Sequence, residues 1–155
     1  MRLSTRARYG VRLMLALARN YGKGPMHLKD IARMEEISQK YLSLIMIPLK
    51  EGGLVHSTRG AYGGYTLAKA PSQINFGEIV EVLEGDYLVD CVRNPSVCSR
   101  TSVCTSRDVW AFLEEKISET LRAITLEQRL AELEHKPCIA LKAAKQLKKK
   151  RRGIP

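Results

Sequence analysis

Between Ile37 and Lys50 the apolar residues Leu42, Ile45, Met46 and Leu49 return at every third or fourth position, a spacing that puts them on one face of a helix. Ser38 stands just ahead of the run, where its hydroxyl can accept a hydrogen bond from a free amide of the first turn. Gln39, Lys40 and Ser43 fall on the opposite face, toward the N-terminal end. A second amphipathic stretch, Leu28 to Met34, precedes it, with Leu28, Ile31, Ala32 and Met34 as its apolar set. Glu35-Glu36-Ile37 between them has the length of the turn in a helix-turn-helix. Pro48 lies inside the pattern and is expected to kink the helix or end it early. Taken alone, the pair suits two core helices of any α protein equally well, so the flanks decide.

Ser4 to Tyr21 reads as an amphipathic helix. Tyr9, Val11, Leu13, Met14, Leu17 and Ala18 are apolar, and Arg6, Arg8, Arg12 and Arg19 are polar. Gly22-Lys23-Gly24-Pro25 stops it. On the other flank Glu51-Gly52-Gly53 closes the second helix, and Leu54 to Thr58 alternates like a strand. Arg59-Gly60-Ala61-Tyr62-Gly63-Gly64 makes a glycine-rich turn, and Tyr65 to Ala68 alternates again. A strand, a turn and a strand directly after such a helix form a β wing. Arg59 at its tip is the candidate for the negative potential of a DNA minor groove. As a phosphate-cradling nucleotide loop the segment is weak, since no Walker lysine follows it.

Charge placement agrees. The net charge of the 155 residues is +10. Residues 1–69 carry 12 Lys and Arg against 4 Asp and Glu, residues 70–135 carry 6 against 12, and residues 136–155 carry 8 and no acid. A basic module bearing a helix-turn-helix suits a polyanion. The expected organisation is a winged helix-turn-helix domain at 1–70, a sensing and dimerisation region at 71–134, and a basic tail at 135–155, best read as a solvated end. No run reaches the roughly 18 apolar residues of a membrane span. No signal peptide is evident, and a cytoplasmic protein is expected. His27, His56 and His135 are scattered with no nucleophile and base pairing, so no enzyme is expected.

Asn75 and Glu78 have the spacing of a capping box ahead of Ile79, Val80, Val82 and Leu83. Cys91, Cys98 and Cys104 then follow in a polar segment with no apolar pattern of its own. Disulfides rarely persist in the cytoplasm, and clustered thiols in such a segment read as soft metal ligands. Gaps of six and five residues are wider than paired zinc knuckles use, which favours an iron–sulfur cluster over zinc or over no metal at all. Ser106 can cap the next helix. There Val109, Trp110, Leu113, Ile117, Leu121 and Ile124 form a narrow stripe suited to a partner helix, and hence to a homodimer. Thr125 and Gln128 have capping-box spacing, so a break near Ala123–Thr125 is expected.

Four segments carry a family resemblance: Met1 to Gly10, Ile37 to Leu42, Arg59 to Tyr65, and Leu83-Glu84-Gly85. In them, and in order over roughly residues 1–130, the chain resembles the winged-helix transcription regulators that include IscR, NsrR and CymR, most of all the IscR-like members. The resemblance implies a mainly α fold with a small β wing, a homodimer on double-stranded operator DNA, and repression of iron–sulfur biogenesis genes. An alternative within the same fold is a response to nitric oxide, redox state or cysteine supply. It implies one cluster per protomer, of 2Fe–2S type by the IscR likeness and 4Fe–4S by the NsrR likeness, held by Cys91, Cys98 and Cys104. It implies DNA contacts from Arg2, Arg6, Arg8, Ser38, Gln39, Lys40, Tyr41, Ser43, Arg59 and Tyr62, and dimerisation through Trp110, Leu113, Ile117, Leu121 and Ile124. The chain departs from the pattern at three places. Arg107 stands where IscR-like members have a histidine ligand, Arg8 lies where NsrR-like members supply an acidic one, and Ser43 replaces a glutamate common in relatives. The fourth ligand is therefore open among Asp108, His135 and Cys138.

Overall fold

Four helix starts are fixed by side chains. The Ser4 hydroxyl accepts from the Ala7 amide at 3.1 Å, and the Ser38 hydroxyl accepts from the Tyr41 amide at 3.4 Å. Asn75 and Glu78 complete a reciprocal capping box at 2.9 and 3.0 Å, and Thr125 and Gln128 complete another at 3.2 and 3.0 Å. The structure, a computed structural model, describes residues 3–60, 62–85 and 89–135, except the side chains of residues 134 and 135. Arg2, Cys138 and the basic tail from residue 136 onward lie outside the described residues.

From these starts run α1 (Thr5–Arg19), α2 (Leu28–Glu35), α3 (Gln39–Glu51), β1 (Val55–Thr58), β2 (Gly64–Leu67), α4 (Phe76–Glu84), a single turn α5 (Asp90–Arg93), α6 (Arg107–Arg122) and α7 (Leu126–His135). β1 and β2 pair antiparallel, with Val55 opposite Leu67 and Thr58 opposite Gly64. Val55 and Leu67 are buried, while His56, Ser57 and Thr58 are exposed, so the hairpin is anchored at its base and its turn projects. Met26 adds a third short rung, exchanging backbone hydrogen bonds with Tyr65 at 3.0 and 2.8 Å. A Cβ on Gly64 would sit 2.5 Å from the Met26 carbonyl oxygen, so only glycine lets that rung close.

One core joins these elements. Leu13, Met14 and Leu17 of α1 meet Ile31 of α2, Leu42, Ile45, Met46 and Leu49 of α3, Ile79 and Leu83 of α4, and Leu126 of α7. Gly10 lets α4 approach α1, since a Cβ there would lie 2.1 Å from Leu83 Cδ1. The Ser4 hydroxyl also donates to the Glu84 carboxylate, tying the start of α1 to the end of α4. α6 has no buried residue. It is joined to the core at its C-terminal end, where the Phe76 amide donates to the Ile124 carbonyl at 2.9 Å and the Leu126 amide to the Ile74 carbonyl at 3.0 Å. Arg122 also pairs with Glu81 of α4 at 2.9 Å.

Three expectations are corrected. α3 does not end at Pro48 but runs to Glu51, and the Gly52 amide still bonds the Pro48 carbonyl at 2.8 Å. Pro48 lies in the last turn, where its missing amide deprives only the Leu44 carbonyl of a helical partner. Met34 is 55% exposed. Six residues after Leu28 it has turned about 100° off the face shared by Leu28, Ile31 and Ala32, and the chain leaves the helix at Glu36 in a left-handed conformation. Ser106 occupies the cap position of α6 but makes no capping hydrogen bond, because its hydroxyl lies 3.4 Å from the Cys104 sulfur instead.

Candidate nucleic-acid interface and thiol segment

The first turns of α1 and α3 converge. Thr5 and Tyr9 of α1 line a hollow of about 680 Å³ together with Glu36, Ser38, Lys40, Tyr41 and Leu44. Tyr9 and Tyr41 meet edge to face with ring centroids 5.8 Å apart, which fixes the half-buried Tyr41 against α1. Arg6 and Arg8 are exposed on the first turns of α1, and Arg8 reaches the Thr5 hydroxyl at 3.4 Å. Arg12 and Arg19 are occupied differently. Arg12 bonds the Glu35 carboxylate at 3.0 Å and also its carbonyl, and Arg19 lies 4.0 Å from the same carboxylate. α1 thus divides its arginines between an internal brace and a pair facing solvent.

Ser38, Gln39, Lys40 and Ser43 are exposed at the N-terminal end of α3. Ser43 donates its hydroxyl to the Lys40 carbonyl at 2.7 Å, an internal helical bond. Arg59 is exposed in the wing turn, and Tyr62 beside it is 94% exposed. The structure brings the starts of α1 and α3 into one hollow. Arg59 and Tyr62 stand apart from that hollow, on the wing. Two residues on the same outer face of α3 were not singled out from the sequence: Leu44 and Ile47, 56% and 53% exposed. Their signal lay in the excess of apolar residues in α3, more than one core-facing stripe requires.

The cysteines lie in a series of tight turns rather than an open loop. Cys91 is in α5, and 3₁₀ turns at Pro95–Val97 and Thr101–Val103 precede Cys98 and Cys104. The Thr101 hydroxyl contacts the Pro95 and Cys98 carbonyls at 2.8 and 2.6 Å, closing the middle turn. All three thiols are free and half-buried. Hydrogen bonding to the Ser106 hydroxyl, then to the Ser106 amide, holds the Cys104 thiol below its ordinary value, with help from the nearby Arg100 charge. Arg107 reaches back across the segment, donating from Nε to the Cys91 carbonyl at 3.2 Å and from Nη2 to the Val92 carbonyl at 2.9 Å. Arg93 and Glu114, 3.2 Å apart, form a second tie between α5 and α6. Asp108 is exposed in the first turn of α6.

Three soft thiols within 14 residues suit iron–sulfur ligation chemically. Among the described residues, no three His, Cys, Asp or Glu side chains converge tightly enough to hold a single metal ion. A multinuclear cluster makes a weaker demand, because its ligands are divided between irons.

The apolar stripe on α6 faces outward within the protomer. Val109 is 55%, Trp110 42% and Leu113 38% exposed, and Phe112, absent from the sequence-derived set, is 56% exposed. Ile117, Leu121 and Ile124 are half-buried toward the end that rests on α4.

Residues 3–132 match the family described as "Rrf2: Iron-dependent Transcriptional regulator". The chain belongs to the Rrf2 family of transcriptional regulators. It is similar to the HTH-type transcriptional regulator CymR of Bacillus subtilis, with 39% identity over 127 residues that cover 82% of this chain and 88% of that protein. The solved structure of that protein, the global cysteine regulator of B. subtilis, superposes with a TM-score of 0.69 at 36% identity over 85% of this chain and 98% of that one. IscR of Klebsiella pneumoniae is 38% identical over 128 residues, covering 81% of this chain and 77% of that protein. The structure of T. potens IscR superposes with a TM-score of 0.73 at 36% identity over 89% of this chain and 92% of that chain. The mainly helical fold with a two-stranded wing is that of the Rrf2 winged-helix structures. This Rrf2 chain is therefore a DNA-binding transcriptional regulator and not an enzyme. Among its described residues no helix is long and apolar enough to cross a membrane.

Proposed function

We propose that this Rrf2 protein is a homodimeric iron–sulfur sensor of the IscR kind, regulating genes of iron–sulfur cluster assembly by binding their operators. The observation that carries the reading is the thiol segment: Cys91, Cys98 and Cys104 are free and half-buried, and Arg107 ties the Cys91 turn to the N-terminal end of α6. In this reading the three thiolates hold one cluster per protomer, of 2Fe–2S type, which supplies a centre responsive to iron and redox state. Arg107 does not take the fourth position, because its guanidinium cannot ligate and is engaged with the Cys91 and Val92 carbonyls. Asp108, His135 and Cys138 remain the candidates for it. The α6 stripe, exposed at Trp110 and Leu113 and half-buried at Ile117, Leu121 and Ile124, is the seam for a second copy, which would place two reading helices on two half-sites. Arg2, Arg6, Arg8, Ser38, Gln39, Lys40, Tyr41, Ser43, Arg59 and Tyr62 form the DNA face, and residues 1–70, 71–134 and 135–155 serve as reading head, sensor with dimer seam, and basic tail. A switch of this kind requires that the two sensor states bind the operator with different affinities.

A second reading, regulation by cysteine supply or thiol redox state, is favoured by the similarity to CymR and by the Arg107 clamp, which leaves the thiols without an evident fourth ligand. Anaerobic purification with absorption spectra and iron and sulfide counts separates the two. About two irons and two sulfides per chain is the expected result, and about four of each indicates the 4Fe–4S variant. A colourless, metal-free protein that still binds duplex DNA with steep salt dependence overturns the cluster reading in favour of the second.

A further inference from the structure

We infer that α3 reads thymine methyl groups in the major groove through Leu44 and Ile47. The inference rests on α3 being the helix that enters DNA. Lys40, Leu44, Ile47 and Glu51 succeed one another at three- and four-residue steps and share one exposed face, with Ser43 and Lys50 beside them. Leu44 and Ile47 are both more than half exposed at the centre of that face, although Leu42, Ile45, Met46 and Leu49 already satisfy the core on the other side. The neighbouring Ser43 hydroxyl is turned back along the helix, since it donates to the Lys40 carbonyl. The middle of the face therefore presents aliphatic surface rather than hydrogen-bond donors. The apolar feature that base edges display in the major groove is the thymine 5-methyl, so this surface has one natural counterpart there.

The surroundings favour DNA over another apolar occupant. Leu44 borders the 680 Å³ hollow toward α1, and Ile47 borders a second hollow of about 300 Å³ toward Tyr65 of the wing, lined also by Ser43 and Lys50. The two aliphatic residues thus crown a ridge between two depressions, the relief a helix needs to enter a groove between two phosphate backbones. Lys40 and Lys50 bracket the pair, and the acid on this face, Glu51, ends the helix beyond them. Three positions apart, at a rise of about 1.5 Å per residue, Leu44 and Ile47 can reach methyls on neighbouring base pairs.

The test uses the full-length protein and duplexes selected by it from a pool with a randomised core. In the selected duplex each thymine is replaced singly by deoxyuridine, which removes the methyl alone, and affinity is measured by fluorescence anisotropy at fixed salt. One or two positions are expected to lose about three- to fivefold in affinity, as burial of one methyl implies. In Leu44→Ala or Ile47→Ala, whose circular dichroism should match the parent because both side chains are exposed, the penalty at the cognate position should vanish. Penalties that persist unchanged in both variants overturn the assignment to these residues. Wild-type binding indifferent to every deoxyuridine overturns methyl reading while leaving α3 as the DNA helix. Failure to select any duplex bound in a salt-dependent way overturns the underlying DNA-reading assignment itself.

Discussion

Replacing Arg107 with alanine should loosen the turn that carries Cys91 without unfolding the protein. The guanidinium makes two charge-assisted hydrogen bonds, to the Cys91 carbonyl at 3.2 Å and to the Val92 carbonyl at 2.9 Å. Bonds to a charged group contribute about 1.5–3 kcal/mol when buried. Arg107 is only half-buried, so water competes, and about 1–2 kcal/mol for the pair is the working figure. That energy acts on α5 alone, since the ion pair of Arg93 with Glu114 persists and the core is remote from it. A loss of 1–2 kcal/mol multiplies the open population of the turn by about five to thirty. The assay is alkylation of reduced, metal-free protein under native conditions, resolved by peptide mass spectrometry, with amide exchange at Asn94, whose N–H bonds the Asp90 carbonyl at 2.9 Å. Cys91 should label faster by about the same factor, with Cys98 as internal reference. Arg107→Lys should recover little, because an ammonium lacks the planar fork that reaches two carbonyls. Labelling and exchange within twofold of wild type, with an unchanged melting curve, would show that the clamp holds nothing.

Arg59→Ala should weaken operator binding by about 1–3 kcal/mol if the side chain reads a base edge, and normal affinity and salt slope would remove it from the interface. Cys98→Ala should abolish cluster assembly, read by absorption and iron counts, while gel filtration and circular dichroism stay those of the parent; a full cluster in that variant would cancel the ligand assignment. Leu113→Asp should convert the proposed dimer to a monomer by sedimentation, since it sets a charge in the α6 stripe; an unchanged dimer mass would move the seam elsewhere. Gly64→Ala should cost about 2–4 kcal/mol, because the added Cβ meets the Met26 backbone and opens the rung with Tyr65. A calorimetric midpoint lowered by less than about 2 °C would contradict that geometry.

The helix starts were legible because capping is local. Ser38, Asn75 with Glu78, and Thr125 with Gln128 act within one turn of their own position, and all three make the bonds their spacing suggests, while the Ser4 cap adds one the sequence reading did not name. The wing was legible because Gly63 and Gly64 stand between two alternating runs. What escaped depends on distant parts of the chain. Ser106 has the chemistry of a cap, but the Cys104 sulfur takes its hydroxyl. Met34 reads as apolar and inward only if its helix phase is ignored. Arg107 reads from sequence as a missing histidine, and only the fold brings its guanidinium to the carbonyls sixteen and fifteen residues before it. Leu44 and Ile47 stand off the core face by spacing alone, but that they are surplus to the core is plain only once the core is seen to be full without them.

The foot of α6, where the Phe76 and Leu126 amides bond the Ile124 and Ile74 carbonyls, is the point about which α6 would turn. The 16 residues from Arg107 to Arg122 make an arm of about 24 Å, with the thiols at its far tip and the reading head bolted to its near end. A displacement of about 2 Å at the tip, the scale on which a turn opens or closes, rotates such an arm by about 5°. In the proposed dimer two arms joined along their stripes would share that rotation, so the separation of the two α3 helices would become the quantity that the thiol segment sets.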